Sequence, residues 1–216
     1  MKLIKFYIIL LMLPYQLVAN TYSHNYKIHN NKETKLGTFG EIIEDDIVTN
    51  FFSSGSEYHS TILDKNGFTL EFSLLDSLNN TNYRAVKRDD DIIVMGKKNG
   101  KDLDIKLGLN RGDWRQSISY TLSKFSQMKQ DEIIFSILRI DKFETIEMKA
   151  SKKGTSTVDV LGNQTQVEHI RITGNSFLSK MWYADYWFRS SDGLLIRCEA
   201  ITDPIGFNKT IIELIE

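Results

Sequence analysis

The sequence predicts a mainly β protein: a large curved antiparallel sheet, or an open barrel or half-barrel, with about one short helix. Three observations predict it. Short apolar or alternating runs recur along the chain, each closed by a turn signal, which is how strands joined by hairpins read. Asn-Gly, a pair in which both residues tolerate positive φ, stands between apolar runs at Asn66-Gly67 and again at Asn99-Gly100. Only one stretch of the mature chain spaces its hydrophobes as a helix does, at Trp114, Ile118, Leu122 and Phe125.

The elements follow in order. Residues 1–19 read as a signal peptide: Lys2 and Lys5 supply a positive start, residues 6–13 are apolar, Pro14 breaks the run, and Ala19 offers a small residue for cleavage. The apolar stretch is far shorter than the roughly 20 residues that a spanning helix needs. Residues 20–216 then form a single exported β-rich domain, since no linker interrupts them. Residues 26–28 and 36–43 flank the polar Asn30-Asn31-Lys32 as a first hairpin, and Asp45-Asp46 turns the chain into Ile47-Val48. Residues 61–63 and 68–75 are joined by Asp64-Lys65-Asn66-Gly67. Residues 83–87 and 92–95 surround Asp89-Asp90-Asp91. Lys97-Lys98-Asn99-Gly100 leads into Leu103, Ile105, Leu107 and Leu109, whose spacing is the period of a half-buried strand. Asp113 is placed to cap the helix that carries Trp114 to Phe125. Further strands are expected at 133–140, 143–148, 155–160, 165–173, 177–188, 194–201 and 207–214. About a dozen strands suit a curved sheet, a sandwich or an open barrel.

Composition excludes several function classes. The chain has 216 residues, with 27 Lys and Arg against 28 Asp and Glu. Such a balance lacks the basic footprint of a nucleic-acid binder. One cysteine, Cys198, permits neither an internal disulfide nor a cysteine-based zinc site. It lies in an apolar run and reads as a buried small hydrophobe. The four histidines, His24, His29, His59 and His169, show no metal-ligand spacing, so no metal or cofactor is expected. Glu168 and His169 are neighbours in a strand and point to opposite faces. Ser53-Ser54-Gly55-Ser56 lacks the paired glycines of a nucleophile elbow, and no phosphate-binding glycine loop occurs. Asp89-Asp90-Asp91 lacks the alternation of a calcium loop and reads as a solvated turn. No catalytic residue is assigned.

The densest aromatic stretch is Met181-Trp182-Tyr183-Ala184-Asp185-Tyr186-Trp187-Phe188. In a strand, Trp182, Ala184, Tyr186 and Phe188 share one face, suited to a core. Tyr183, Asp185, Trp187 and Arg189 share the other, suited to solvent or to a groove. Arg197 and Glu199 are spaced to pair on one face of the next strand.

This region, an aromatic strand, the Asp192-Gly193 turn and the strand Leu195-Ile196-Arg197-Cys198-Glu199, resembles the C-terminal hairpin of uncharacterised exported bacterial β-domains, families of unknown function. The resemblance extends to Leu36-Gly37-Thr38 in an early strand and, loosely, to residues 158–162. It implies a curved antiparallel sheet, in some members wrapped around a helix as in periplasmic lipoprotein carriers, while others are associated with envelope integrity.

The expectation is a non-enzymatic periplasmic or secreted protein of the bacterial cell envelope. It would bind an apolar ligand, a lipid or acyl chain, or an envelope protein partner, with peripheral or no membrane contact after cleavage and no nucleic acid. Trp114, Ile118, Leu122, Phe125, Trp182 and Tyr186 are the candidate lining residues, each of which ordinary core packing would also explain. The rival reading is a hydrolase of cell-wall or lipid esters, which would bring a His or carboxylate pair together in a cleft. A third is a module that recruits a partner along an unprotected strand edge.

Overall fold

A computed structural model describes residues 20–31, 33–109, 113–175, 182–201 and 209–215. The signal peptide expected at residues 1–19 lies outside the described residues, as do residues 177–181 and 207–208 of two expected strands. The chain forms β1 (Asn20–His29), β2 (Thr34–Glu44), β3 (Ile47–Ser54), β4 (Glu57–Leu63), β5 (Thr69–Asp76), β6 (Thr81–Arg88), β7 (Asp91–Lys98) and β8 (Lys101–Gly108). Helix α1 (Ile118–Ser126) follows, then β9 (Glu132–Arg139), β10 (Glu144–Val160), β11 (Asn163–Gly174), β12 (Tyr183–Arg189), β13 (Leu195–Ile201) and β14 (Lys209–Leu214).

The 14 strands among the described residues belong to one antiparallel sheet in the order β8-β7-β6-β5-β4-β3-β2-β1-β14-β13-β12-β11-β10-β9. Two meanders are joined where β1 pairs with β14, Tyr26 opposite Leu214. The sheet curves without closing into a barrel, so β8 and β9 are its edges. The expected mainly β curved sheet with one helix is what forms.

The turns show why the strands stop where they do. Asn99 and Gly100 both take positive φ, 51° and 76°, the conformation of a tight two-residue hairpin. At the other Asn-Gly only Gly67 does, at 77°. There the Asp64 carboxylate accepts the backbone N–H of Asn66 and of Phe68, both at 2.9 Å, and holds a wider loop. A carboxylate thus replaces the left-handed asparagine that the dipeptide predicts.

Two expectations about the elements are corrected. The helix begins at Ile118, not after Asp113, and Trp114 precedes it in an extended segment bridged to Ser136 of β9. Gln116 is the reason. Its side-chain oxygen accepts from Leu138 N–H at 2.8 Å and its amide donates to the Leu138 carbonyl at 3.1 Å, imitating a strand partner. Its own backbone N–H donates to Thr69 Oγ1 at 2.8 Å. The two strands expected at 143–148 and 155–160 are one, β10, of 17 residues. The register shift between Lys152 and Gly154 marks a bulge inside it, where Gly154 takes φ 108°.

The inner face of the sheet carries the core. Its larger part gathers Leu122 and Phe125 of α1 with Phe135, Met148, Ala150, Ile170, Ile172, Ala184, Phe188 and Cys198. A second cluster at the β5–β7 end gathers Phe72, Leu74, Tyr83, Ala85, Ile92 and Val94 around Trp114. On the outer face Asp185 is buried. Arg171 Nε and Nη2 each donate to it at 2.8 Å, and His169 Nε2 lies 2.8 Å from the same carboxylate. Burial alone would raise that carboxyl; the bonds from Arg171 and His169 outweigh it and hold it below the ordinary aspartate range. Arg197 pairs with Glu199, as its spacing predicts, and also with Glu213.

Candidate ligand cavity

Strand periodicity positions the site. From β1 to β6 each strand places one ring on the inner face: Tyr26, Phe39, Phe52, His59, Phe72 and Tyr83. Neighbouring centroids are 5.1, 4.7, 5.4, 5.7 and 6.2 Å apart, and Phe143, in the turn before β10, extends the row at 5.5 Å from Tyr83. Such edge-to-face and tilted contacts are the favoured geometry for ring quadrupoles. Phe39 faces Phe52 directly, and Phe52 faces His59. Gly37 gives the row room: a Cβ there would lie 2.8 Å from Ile28 Cδ1 and 2.9 Å from Phe52 Cε2.

Helix α1 lies over this face but does not fill it. Its N-terminal end is tied to β3, where Ser117 Oγ donates to Asn50 Oδ1 at 2.7 Å. Ser117 occupies the capping position without a side-chain cap bond, its hydroxyl turned to Asn50. The other end is fixed by Lys152, whose ammonium donates to the carbonyls of Ser126 at 3.1 Å and Met128 at 2.5 Å. A cation at the last turn also suits the helix dipole. Ser123 Oγ donates to the Gly193 carbonyl at 2.7 Å, docking the helix on the β12–β13 turn.

Beside the first helical turn a cavity of about 420 Å³ opens. Phe39, Phe51, Phe52, His59 and Phe72 line one side, Ile28, Ile212, Leu195, Cys198 and Tyr186 another, and Ser117, Ile118 and Ser119 form its helical wall. A second, of about 380 Å³, lies at the other side of the helix start and shares Phe39, Asn50, Ser119 and Leu195 with the first. Pockets of a few hundred Å³ with apolar walls and few polar groups are the usual form of a small-molecule site.

Polar side chains alternate with the rings: Asn30, Lys35, Asn50, Glu57, His59, Thr61, Gln116, Ser117, Ser119 and Thr210 also line the larger cavity. His59 Nε2 lies 2.6 Å from Glu57 Oε1, and this bond holds the Glu57 carboxyl below its ordinary range. In the second cavity burial pushes the Glu41 carboxyl up, against the opposing effects of Lys124, Asn50 and His24. Burial pushes the Cys198 thiol up to about 12, so it packs as an apolar atom at neutral pH. The structure does bring a carboxylate and an imidazole together in a cleft. Among the described residues, the side-chain hydrogen bond of His59 runs to Glu57. Among the same residues no group of three or more His, Cys, Asp or Glu side chains could hold a metal ion.

Of the six residues singled out by sequence, Ile118 and Tyr186 line the larger cavity. Leu122 and Phe125 are fully buried in the main core, Trp114 in the second cluster, and Trp182 packs partly buried against the main core. Phe39, Phe52, His59 and Phe72 escaped the sequence reading. Glu57 and His59 carried a usable signal, since residues two apart on a strand share a face. The rest of the row depends on the register of six strands.

No protein-family model matches the sequence, and no curated protein matches it. Solved structures do match. A β-barrel-like protein of domain of unknown function DUF1849 from Brucella abortus superposes with TM-score 0.63 at 11% identity, over 93% of this chain and 97% of that one. The hypothetical lipoprotein YmcC from Escherichia coli matches at TM-score 0.46 and 13% identity, over 90% of this chain and 87% of that one. A LolA-superfamily protein from Nitrosomonas europaea matches at TM-score 0.27 and 9% identity, over 91% and 84%. With the DUF1849 protein this chain shares its fold along nearly its whole length.

Proposed function

We propose that the protein is a non-enzymatic component of the bacterial cell envelope that binds the acyl chain of a lipid on the inner face of its sheet. One observation carries the reading: the cavity of about 420 Å³ beside α1, where a row of rings (Phe39, Phe52, Phe72) faces aliphatic side chains (Ile28, Ile118, Leu195, Ile212), with polar side chains, Glu57 and His59 among them, set between them. An apolar chain entering it removes apolar surface from water at roughly 25 cal/mol per Å². The export address of residues 1–19 supports a periplasmic or secreted location.

The strand edges favour a small ligand over partner recruitment by strand addition. On β8, Leu103, Ile105 and Leu107 alternate with Asp102, Asp104 and Lys106, a charged pattern that blunts an edge. On β9, the segment around Trp114 already occupies backbone groups: Arg115 N–H donates to the Ser136 carbonyl at 2.9 Å, and Ser136 N–H to the Asp113 carbonyl at 3.0 Å.

The test is export of the full-length protein in a bacterial host and native mass spectrometry of the purified chain before and after organic extraction. Extra mass that extracts as lipid is the expected result. Ile118→Trp, which places an indole in the cavity from the helical wall, should reduce that mass. A clean apo mass at low detergent contradicts the reading and moves weight to a protein partner.

A further inference from the structure

The larger cavity ends at Glu57, and Glu57 also lines a smaller one, of about 180 Å³, between the ends of β4–β7 and the β9–β10 turn. Tyr83 lines this smaller cavity and is 2% exposed, and its hydroxyl has no hydrogen-bond partner. A buried hydroxyl left unpaired is unfavourable, so its presence in the wall of a cavity calls for a ligand atom. The two spaces share Glu57 in their walls, and Phe72 of the larger lies 6.2 Å, between centroids, from Tyr83 of the smaller.

The other groups there define what would fit. Asp76 is fully engaged: its carboxylate accepts from Ser56 Oγ at 2.9 Å and from the N–H groups of Leu78 and Asn79 at 3.1 and 3.3 Å. Lys98 Nζ donates to the Ile140 carbonyl at 2.6 Å and the Asp141 carbonyl at 3.3 Å, leaving one of an ammonium's three donors. Glu57 spends one oxygen on His59. A ligand group here meets a tyrosine hydroxyl, a carboxylate oxygen, the amide of Asn99 and the remaining N–H of Lys98. A phosphate or carboxylate would face Glu57 and Asp76 against the single cation Lys98, whose charge is already shared with two carbonyls and the Phe143 ring at 4.9 Å. A hydroxyl can donate to the carboxylate and accept from the phenol at once.

We infer that this end of the cavity reads a neutral, hydroxyl-bearing head group, a glycerol or a sugar, on the bound chain, with Tyr83 as the specificity-determining residue. The inference rests on the acyl-chain reading above. It predicts that the site rejects anionic heads on the same chain.

The test is competition against a fluorescent fatty-acyl probe, using four amphiphiles with one 14-carbon chain: monomyristoylglycerol, a tetradecyl glucoside, methyl myristate and myristoyl lysophosphatidate. The glycerol or sugar head should bind about tenfold more tightly than the methyl ester, as expected for one or two added hydrogen bonds, and the phosphate head no better than the ester. Which of the two hydroxylated heads leads identifies the source. Tyr83→Phe should erase the advantage and leave the ester unchanged. Because the hydroxyl lacks a partner, that variant without ligand should melt at the wild-type temperature or above it. Equal affinities in the wild type, an advantage that survives Tyr83→Phe, or a lowered melting temperature would each overturn the inference while the ester still binds. Failure of all four amphiphiles to displace the probe would remove the acyl-chain reading and this one with it.

Discussion

The inner face of the sheet has two halves that a single helix treats differently. Under the body of α1, strands β10 to β12 present Met148, Ala150, Ile170, Ile172, Ala184 and Phe188, and Leu122 and Phe125 descend onto them into a closed core. Under the start of α1, strands β2 to β5 present rings, and the helix faces them with Ser117, Ile118 and Ser119. Rings below and small residues above leave space between the layers; where Leu122 and Phe125 reach down, the layers close. Whether a curved sheet encloses a core or a cavity is thus decided by how volumes match across the layers.

That contrast can be broken most severely from the closed side. Phe125→Ala should lose about 4 kcal/mol in urea denaturation, because its site is sealed and cannot easily collapse. Phe52→Ala, in the open half and only partly buried, should lose about half as much. Equal losses would mean that the two halves are packed alike.

The outer face behind the closed half supplies the next effect. Asp185→Asn should lose about 3 kcal/mol at neutral pH, since Arg171 and His169 lose a buried anionic partner. The pH dependence has a definite sign. The folded carboxyl lies below its ordinary value, so its stabilisation is present above the unfolded aspartate pKa of about 3.9 and is lost as pH falls through the folded value. Denaturation midpoints measured downward from pH 5 should fall less steeply in Asp185→Asn than in the wild type.

Smaller effects test how the helix is held over the boundary between the halves. Gly193 takes φ 74°, and a Cβ there would lie 2.7 Å from Ser123 Oγ, so Gly193→Ala should lose about 1–2 kcal/mol by combining backbone strain with displacement of the helix. Lys152→Met removes the cation from the helix end and should lose about 1 kcal/mol or less. Both variants should leave the second core cluster around Trp114 intact, which the near-ultraviolet dichroism of that residue would report.

How much of this was legible beforehand follows from the range of each interaction. The hairpins were readable because turn chemistry is local: Asn99-Gly100 and Asp45-Asp46 end their strands within two residues. The helix was over-extended to Trp114 because spacing alone cannot reveal that Gln116 is pairing with Leu138 of a strand not yet reached. The β10 bulge between Lys152 and Gly154 falls in the gap between the expected strands 143–148 and 155–160, and the pairing with β11 that carries the strand through it is not local. The pairing of β1 with β14 has no local signature at all, yet it joins the two meanders into one curved face. The site suffered most. Phe39, Phe52 and Phe72 each look like ordinary strand residues, and only the register between strands sets them in a row. Cys198 and the Arg197–Glu199 pair, by contrast, were legible because burial and pairing within one strand follow from its period of two.

The most direct test of the two-halves account is a methyl-resolved NMR titration of the purified, delipidated protein with monomyristoylglycerol. The account predicts shifts at the δ-methyls of Ile28, Ile118 and Ile212, which line the larger cavity, and none at Ile170 and Ile172, which lie in the closed core. Shifts concentrated at Ile170 and Ile172, or spread evenly over both sets, would contradict it.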